Sequence, residues 1–191
     1  MPSSDYNMIS KVLDVVVKIR PESILDVGCG NGRYGFLFRE CLDWNHHRLL
    51  AHTWSTKIDC VEIDPGYITP VHDYVYNDVY LNDWLDPFVE FKKYDLIFMG
   101  DVLEHFTDND WPKALKKANR LGSIVLVACP NWEGSIAQEA WYGHEHEAHR
   151  TVLSPQIIGG RCLYATSKMF LCGFDNIHWG ILNGKDICNG A

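Results

Sequence analysis

The chain of 191 residues carries 17 Lys and Arg against 25 Asp and Glu, a formal charge of −8, and is 47% hydrophobic and 22% charged. Those proportions suit one globular domain spanning residues 1–191, and the negative balance disfavours nucleic acid as a partner. The apolar runs are strand-sized, Met1–Asp5 has no basic stretch, and the seven Cys lack a C-x-x-C pair; no membrane span, secretory leader or disulfide framework is expected, and the expected compartment is the cytoplasm.

In chain order, a helix is expected from Tyr6 to Lys18, with Ile9, Val12, Leu13, Val16 and Ile19 on one face, stopping before Pro21. Ser23–Val27 reads as a buried strand ending in a glycine cluster, followed by a helix through Phe36–Glu40. A polar stretch, Asp43 to Thr56, precedes a second strand, Lys57–Ile63, closed by Pro65-Gly66. A third strand is expected near Tyr74–Asn77, a short helix near Tyr80–Leu85, and a fourth strand at Tyr94–Gly100. An amphipathic helix over Trp111–Leu121 and a fifth strand over Ser123–Cys129 follow. Short β-branched runs alternating with helical periods give an α/β class, a parallel sheet with right-handed crossovers.

Residues 131–165 read as a substrate-side loop or lid, because Asn131 to Pro155 carries aromatic, His and Glu residues without a period. Thr166–Cys172 is expected to be a helix capped by Gly173. Asn176–Leu182 and Lys185–Cys188 flank Asn183-Gly184, the signature of a closing antiparallel hairpin.

The chemistry gathers at Asp26-Val-Gly28-Cys-Gly30-Asn-Gly32, between a strand and a helix, where glycines let a backbone approach a ligand. The string Gly30-x-Gly32-x-x-Gly35 also fits a dinucleotide loop, so a nicotinamide-dependent oxidoreductase is the alternative. Asp26, before the first glycine, would repel a pyrophosphate but suits a cationic ligand. Glu62 ends the next strand, where an acid can accept hydrogen bonds from both ribose hydroxyls, and Asp78 follows the expected third strand, placed for an adenine amino group.

Ile24–Gly32, Val61–Pro65, Asn77-Asp78 and Tyr94–Phe106, the last containing Asp101-Val-Leu-Glu104-His105, together resemble the ordered motifs of the class I S-adenosylmethionine-dependent methyltransferases. The resemblance implies a Rossmann-like, doubly wound sheet of seven strands, mostly parallel with a C-terminal antiparallel hairpin, and S-adenosylmethionine as cofactor. It implies that Asp26, Gly28 and Gly30 hold the methionine part, Glu62 with Ile63 the ribose, Asp78 with Val79 the adenine, and Gly100 with Asp101 the amino end. The chain lacks the two-proline platform of base and glutamine methylating enzymes, so the expected acceptor is a small molecule, methylated at oxygen.

Within the lid, Pro130-Asn131, Gln138 and Glu147-Ala-His149 resemble the loop of a group of bacterial class I methyltransferases, with His144-Glu145 replacing an Asn-Pro. His149 is expected as the acceptor-side base with Glu147 orienting it, and His105 as the competing base. Metal binding by His144, His146 and His149, or a non-catalytic domain that keeps the fold, are the other readings. Trp132, Trp141 and Tyr142 either wall the acceptor pocket or pin the lid.

Overall fold

The computed structural model describes residues 5–131 and 144–175. Helix α1, Tyr6–Ile19, begins at Asp5, whose carboxylate accepts the Asn7 N–H, and ends where Arg20 turns left-handed before Pro21. Then come β1 Ser23–Val27, α2 Arg33–Leu42, β2 Lys57–Glu62, α3 Pro70–Val75, β3 Val79–Leu81 and β4 Tyr94–Gly100. They are followed by α4 Trp111–Leu121, β5 Gly122–Pro130, α5 Pro155–Ile158, β6 Arg161–Ala165 and β7 Met169–Asp175.

Among the described residues, seven strands form one sheet in the order β3-β2-β1-β4-β5-β7-β6. The first five are parallel, with Ile24 opposite both Ile58 and Leu96; β7 runs antiparallel to β5, and β6 antiparallel to β7. Because successive strand residues point to opposite faces, Ile24 joins Val12, Val16, Phe38 and Phe98 under α1 and α2. Leu25 and Val27 join Ile97, Met99, Leu115 and Val125 under α4. Both faces are covered, and the order reverses between β1 and β4, opening a crevice at their carboxyl ends.

Three local expectations are corrected. Tyr74 and Val75 close α3 rather than a strand, because Thr69 caps Pro70–Val75 with a capping box. The third strand is displaced to Val79–Leu81, where a helix was expected. Thr166–Cys172 is not a helix: Thr166 Oγ1 accepts the N–H groups of Lys168 and Met169 in a turn, and β7 follows, its Phe170, Leu171 and Cys172 fully buried. A short apolar run buried on both faces has the same period-free look as a buried helix.

The antiparallel pair is thus β6 with β7. The Asn183-Gly184 hairpin lies outside the described residues, as do Trp132, Gln138, Trp141 and Tyr142. Residues 155–165, assigned to the lid, instead supply α5 and edge strand β6.

The 43–56 stretch closes over a buried ion network. Arg39, with no exposed surface, donates to Asp43 Oδ2 at 2.9 Å, to the Val75 carbonyl at 2.8 Å and to Asn77 Oδ1 at 2.8 Å, and its guanidinium stacks on Trp54. Asp43 also accepts from Arg48 Nε at 2.8 Å and the Ser55 N–H at 2.9 Å. Burial would raise the Asp43 carboxyl, but Arg48, the Ser55 N–H and Arg39 outweigh it and hold it below the usual carboxylate value.

Candidate active site

The loop after β1 sits at the crevice because its glycines permit it. Gly28 has φ of +69° and a Cβ there would lie 2.5 Å from Val102 Cγ2; Gly30 has φ of +53°. Gly30 is gripped from both sides: its N–H donates to Glu62 Oε2 at 2.8 Å, and its carbonyl faces His72 Nε2 at 2.9 Å. Glu62 Oε1 accepts the N–H groups of Ile63 and Asp64 at 2.9 and 3.0 Å. Burial nevertheless raises the Glu62 carboxyl, the three N–H donors notwithstanding.

A cavity of about 290 Å3 opens above these residues, lined on the β1–β2 side by Gly28, Gly30, Glu62, Ile63 and Tyr67. Asp101, His105, Glu147 and Arg150 line its far side, and Asn82, Asp83, Trp84 and Leu85 its end. Asp101 holds a left-handed φ of 54°, uncommon outside glycine, with its N–H on the Ala128 carbonyl at 2.8 Å.

Of the residues singled out from sequence, Gly28, Gly30, Glu62, Ile63, Asp101, His105 and Glu147 meet at this cleft. Asp26 does not line it. Buried behind the glycine loop, it accepts the Tyr76 hydroxyl at 2.6 Å; burial pushes its carboxyl up to about 7, a rise that the Tyr76 bond opposes and the Glu62 charge reinforces. Gly100, the last residue of β4, also stays outside the lining, against the rings of Phe98 and Tyr34.

Asp78 and Val79 do not line the cleft. They sit at the amino end of β3, where Asp78 pairs with Lys57 at 3.0 Å and is half exposed, away from the cleft. The sequence holds two Asn-Asp pairs five residues apart, at 77–78 and 82–83, and the second follows β3 at its carboxyl end. Asn77 is structural, its Oδ1 accepting from Arg39 and the Ile58 N–H. The missed signal was Val79-Tyr-Leu81, a β-favouring run between the pairs.

The segment from His144 folds back over the turn that follows β2. His144 Nδ1 lies 2.5 Å from Asp64 Oδ2, and its ring stacks on Tyr67, whose hydroxyl donates to Glu147 Oε1 at 2.6 Å. Tyr67 and Asp64 were not singled out as site residues from sequence. His149 packs edge-on against His105, ring centres 4.9 Å apart, while His105 Nδ1 faces the Ala148 carbonyl at 3.2 Å. Burial and then His149 drive His105 down to about 4, so its imidazole is neutral at pH 7.

The strand order separates this fold from the dinucleotide-binding relatives that share its glycine loop: their sheets are commonly all parallel in the order 3-2-1-4-5-6, whereas β7 here inserts antiparallel between β5 and β6. Among solved structures, the methyltransferase domain of bacterial CtHen1-C superposes with a TM-score of 0.62 at 16% identity, over 88% of this chain and 96% of that one. An O-methyltransferase family protein from Burkholderia thailandensis gives 0.61 at 13% identity, over 88% of this chain and 55% of that one. Magnesium protoporphyrin IX methyltransferase from Synechocystis PCC 6803, crystallised with S-adenosylmethionine, gives 0.58 at 10% identity, over 87% and 77%. At such identities the likeness is one of fold. No curated protein matches the sequence at a significant level. The sequence does match the model of a family described as methyltransferase domain over residues 5–161, most of its length, and the chain belongs to that family.

Proposed function

We propose that this protein transfers a methyl group from S-adenosylmethionine to a hydroxyl oxygen of a small-molecule acceptor. The observation that carries the reading is the Glu62 carboxylate at the carboxyl end of β2, 2.8 Å from the Gly30 N–H, at the edge of a cleft above the β1–β4 reversal. A ribose laid there finds a buried anionic acceptor, and the amino acid portion runs along Gly28 and Gly30 toward Asp101. Asn82 and Asp83 take the adenine end in place of Asp78. Asp26 stays behind the loop, holding the Tyr76 hydroxyl at 2.6 Å, and is given no contact with the cofactor.

Methyl transfer needs an in-line approach and, for a hydroxyl, removal of one proton. The acceptor oxygen gives its O–H proton to His149 or His105 and its electron pair to the methyl carbon. The carbon–sulfur bond breaks with its electrons moving to sulfur, leaving a neutral thioether. His105 is kept uncharged by burial and carries its proton on Nδ1 toward the Ala148 carbonyl, which presents Nε2 as the basic atom. The charge of −8 and the missing two-proline platform favour a small acceptor over nucleic acid. Incubation with methyl-labelled cofactor and extracts divided into small-molecule, protein and nucleic-acid fractions tests this: label is expected in the small-molecule fraction, and label in RNA or DNA contradicts the acceptor assignment.

A further inference from the structure

On the far side of the cleft, three donor side chains converge that no step above requires together. Glu104 and His105 are consecutive on a 3-10 turn, Leu103–His105, reached from β4 through the left-handed Asp101. His149 arrives from the segment that follows β5. The backbone locks the two pieces together, the Arg150 and Thr151 N–H groups both donating to the Glu104 carbonyl at 2.8 and 3.2 Å. One ligand atom from each of Glu104, His105 and His149 lies within 4.8 Å of the other two. A tetrahedral ion about 2.1 Å from each donor would hold the donors about 3.4 Å apart, a contraction within reach of small side-chain torsions.

A second observation points to a ligand independently. Glu104 is 1% exposed, and its Oε2 accepts the Cys129 thiol at 3.2 Å, while Oε1 is buried with no hydrogen-bond partner among the described residues. A buried carboxyl oxygen without a partner is costly, and each such group calls for an explanation. His105 Nδ1 also lies 3.2 Å from the Ala148 carbonyl, the kind of contact that orients a ligand histidine.

We propose that Glu104, His105 and His149 form a binding site for one divalent transition-metal ion of the borderline class, Zn2+ or Co2+, with its open coordination positions facing the cleft beside Asp101. Two imidazoles and one carboxylate select this class over Mg2+ and Ca2+, which take all-oxygen sets. The Cys129 thiol donates to the Glu104 carboxylate at 3.2 Å and stands outside the three-residue donor cluster. The ion lies at the acceptor end of the cleft assigned above, and its chemical role rests on that assignment. An acceptor hydroxyl in an open coordination position would become more acidic, with Glu147 on the same cleft placed to take its proton. In the metal-free chain His149 or His105 is the base, as above; with the ion bound to both imidazoles, Glu147 would take that proton in their place.

The test reads binding in the absence of S-adenosylmethionine, so it succeeds or fails independently of the methyl-donor assignment. The full chain, stripped with chelator and dialysed, is titrated with Co2+ while the visible ligand-field bands are followed, and then with Zn2+ in competition. One Co2+ per chain is expected, with bands of a nitrogen–oxygen set. His149→Ala and Glu104→Gln should each weaken binding at least about tenfold, while the exposed pair variant His46→Ala/His47→Ala binds like the parent. Melting curves accompany each variant. Should Glu104→Gln fail to fold, His149→Ala and His105→Ala decide. Absence of saturable binding, intense thiolate charge-transfer bands, loss of binding in the His46/His47 variant, or unchanged binding in His149→Ala would each overturn the proposal.

Discussion

The Glu62 carboxylate reaches 32 residues back along the chain to the Gly30 N–H, 2.8 Å away, tying the end of β2 to the glycine loop of β1. One side chain therefore shapes the loop and offers the acid proposed for the ribose. Glu62→Gln should weaken S-adenosylmethionine binding by about 2–4 kcal/mol, a factor of roughly 30 to 1000 in Kd. Calorimetric titration checks this, with the melting temperature monitoring the loop. Unchanged affinity would remove the ribose role and leave Glu62 a structural staple.

Asp26 sets a pH dependence of stability. Its carboxyl, ordinarily near 3.8, is raised to about 7 in the fold, chiefly by burial. The folded chain thus holds a proton that the unfolded chain has released, and stability contributed below 3.8 is lost as pH rises through about 7. Asp26→Asn keeps an acceptor for the Tyr76 hydroxyl and removes the titration. Its melting temperature relative to the parent should therefore rise between pH 5 and pH 8; a constant difference contradicts the assignment.

His105 works in the opposite sense. Its value falls from 6.5 to about 4, so between those limits the unfolded chain takes up a proton that the folded chain refuses, and stability is lost as pH falls through that window. His105→Gln should flatten that loss in melting curves taken from pH 7 to pH 4.

For turnover, once an acceptor is in hand, His149→Ala and His105→Ala separate the proposed roles. Loss of a general base costs a factor of about 100 to 10,000 in kcat with cofactor affinity unchanged. Full turnover in His149→Ala removes it from the chemistry, and a large loss in His105→Ala alone transfers the proton to His105.

The buried network around Arg39 belongs to stability rather than catalysis. Asp43→Ala leaves the Arg39 guanidinium, itself without exposed surface, short of its closest carboxylate. A destabilisation of about 3–5 kcal/mol is expected, a fall in melting temperature of roughly 6 to 20 °C, checked by thermal and denaturant unfolding. A change under 1 kcal/mol would mean that the network relaxes onto water.

The parallel half of the sheet was readable because β1, β2, β4 and β5 are long, β-branched and bounded by Gly or Pro. β3 was not, since Val79–Leu81 is three residues long and Asn-Asp pairs stand on both sides. That slip put Asp78 after the third strand, whereas it precedes β3 at the amino end, away from the cleft. β7 was mistaken for a helix because its core residues face packed layers on both sides and leave no period. Glu62 and the glycine loop could be placed from spacing, since both ride on well-marked strand ends. The Tyr67–Glu147 and His105–His149 contacts could not, because they join segments 80 and 44 residues apart whose approach is decided by the strand order.

The most direct measurement is calorimetric titration of the purified chain with S-adenosylhomocysteine, with NAD and NADH titrated in parallel. Saturable micromolar binding of one S-adenosylhomocysteine per chain, lost or much reduced in Glu62→Gln, is the expected result. No binding of S-adenosylhomocysteine, or binding of a nicotinamide cofactor in its place, would contradict the assignment of this cleft to a methyl donor.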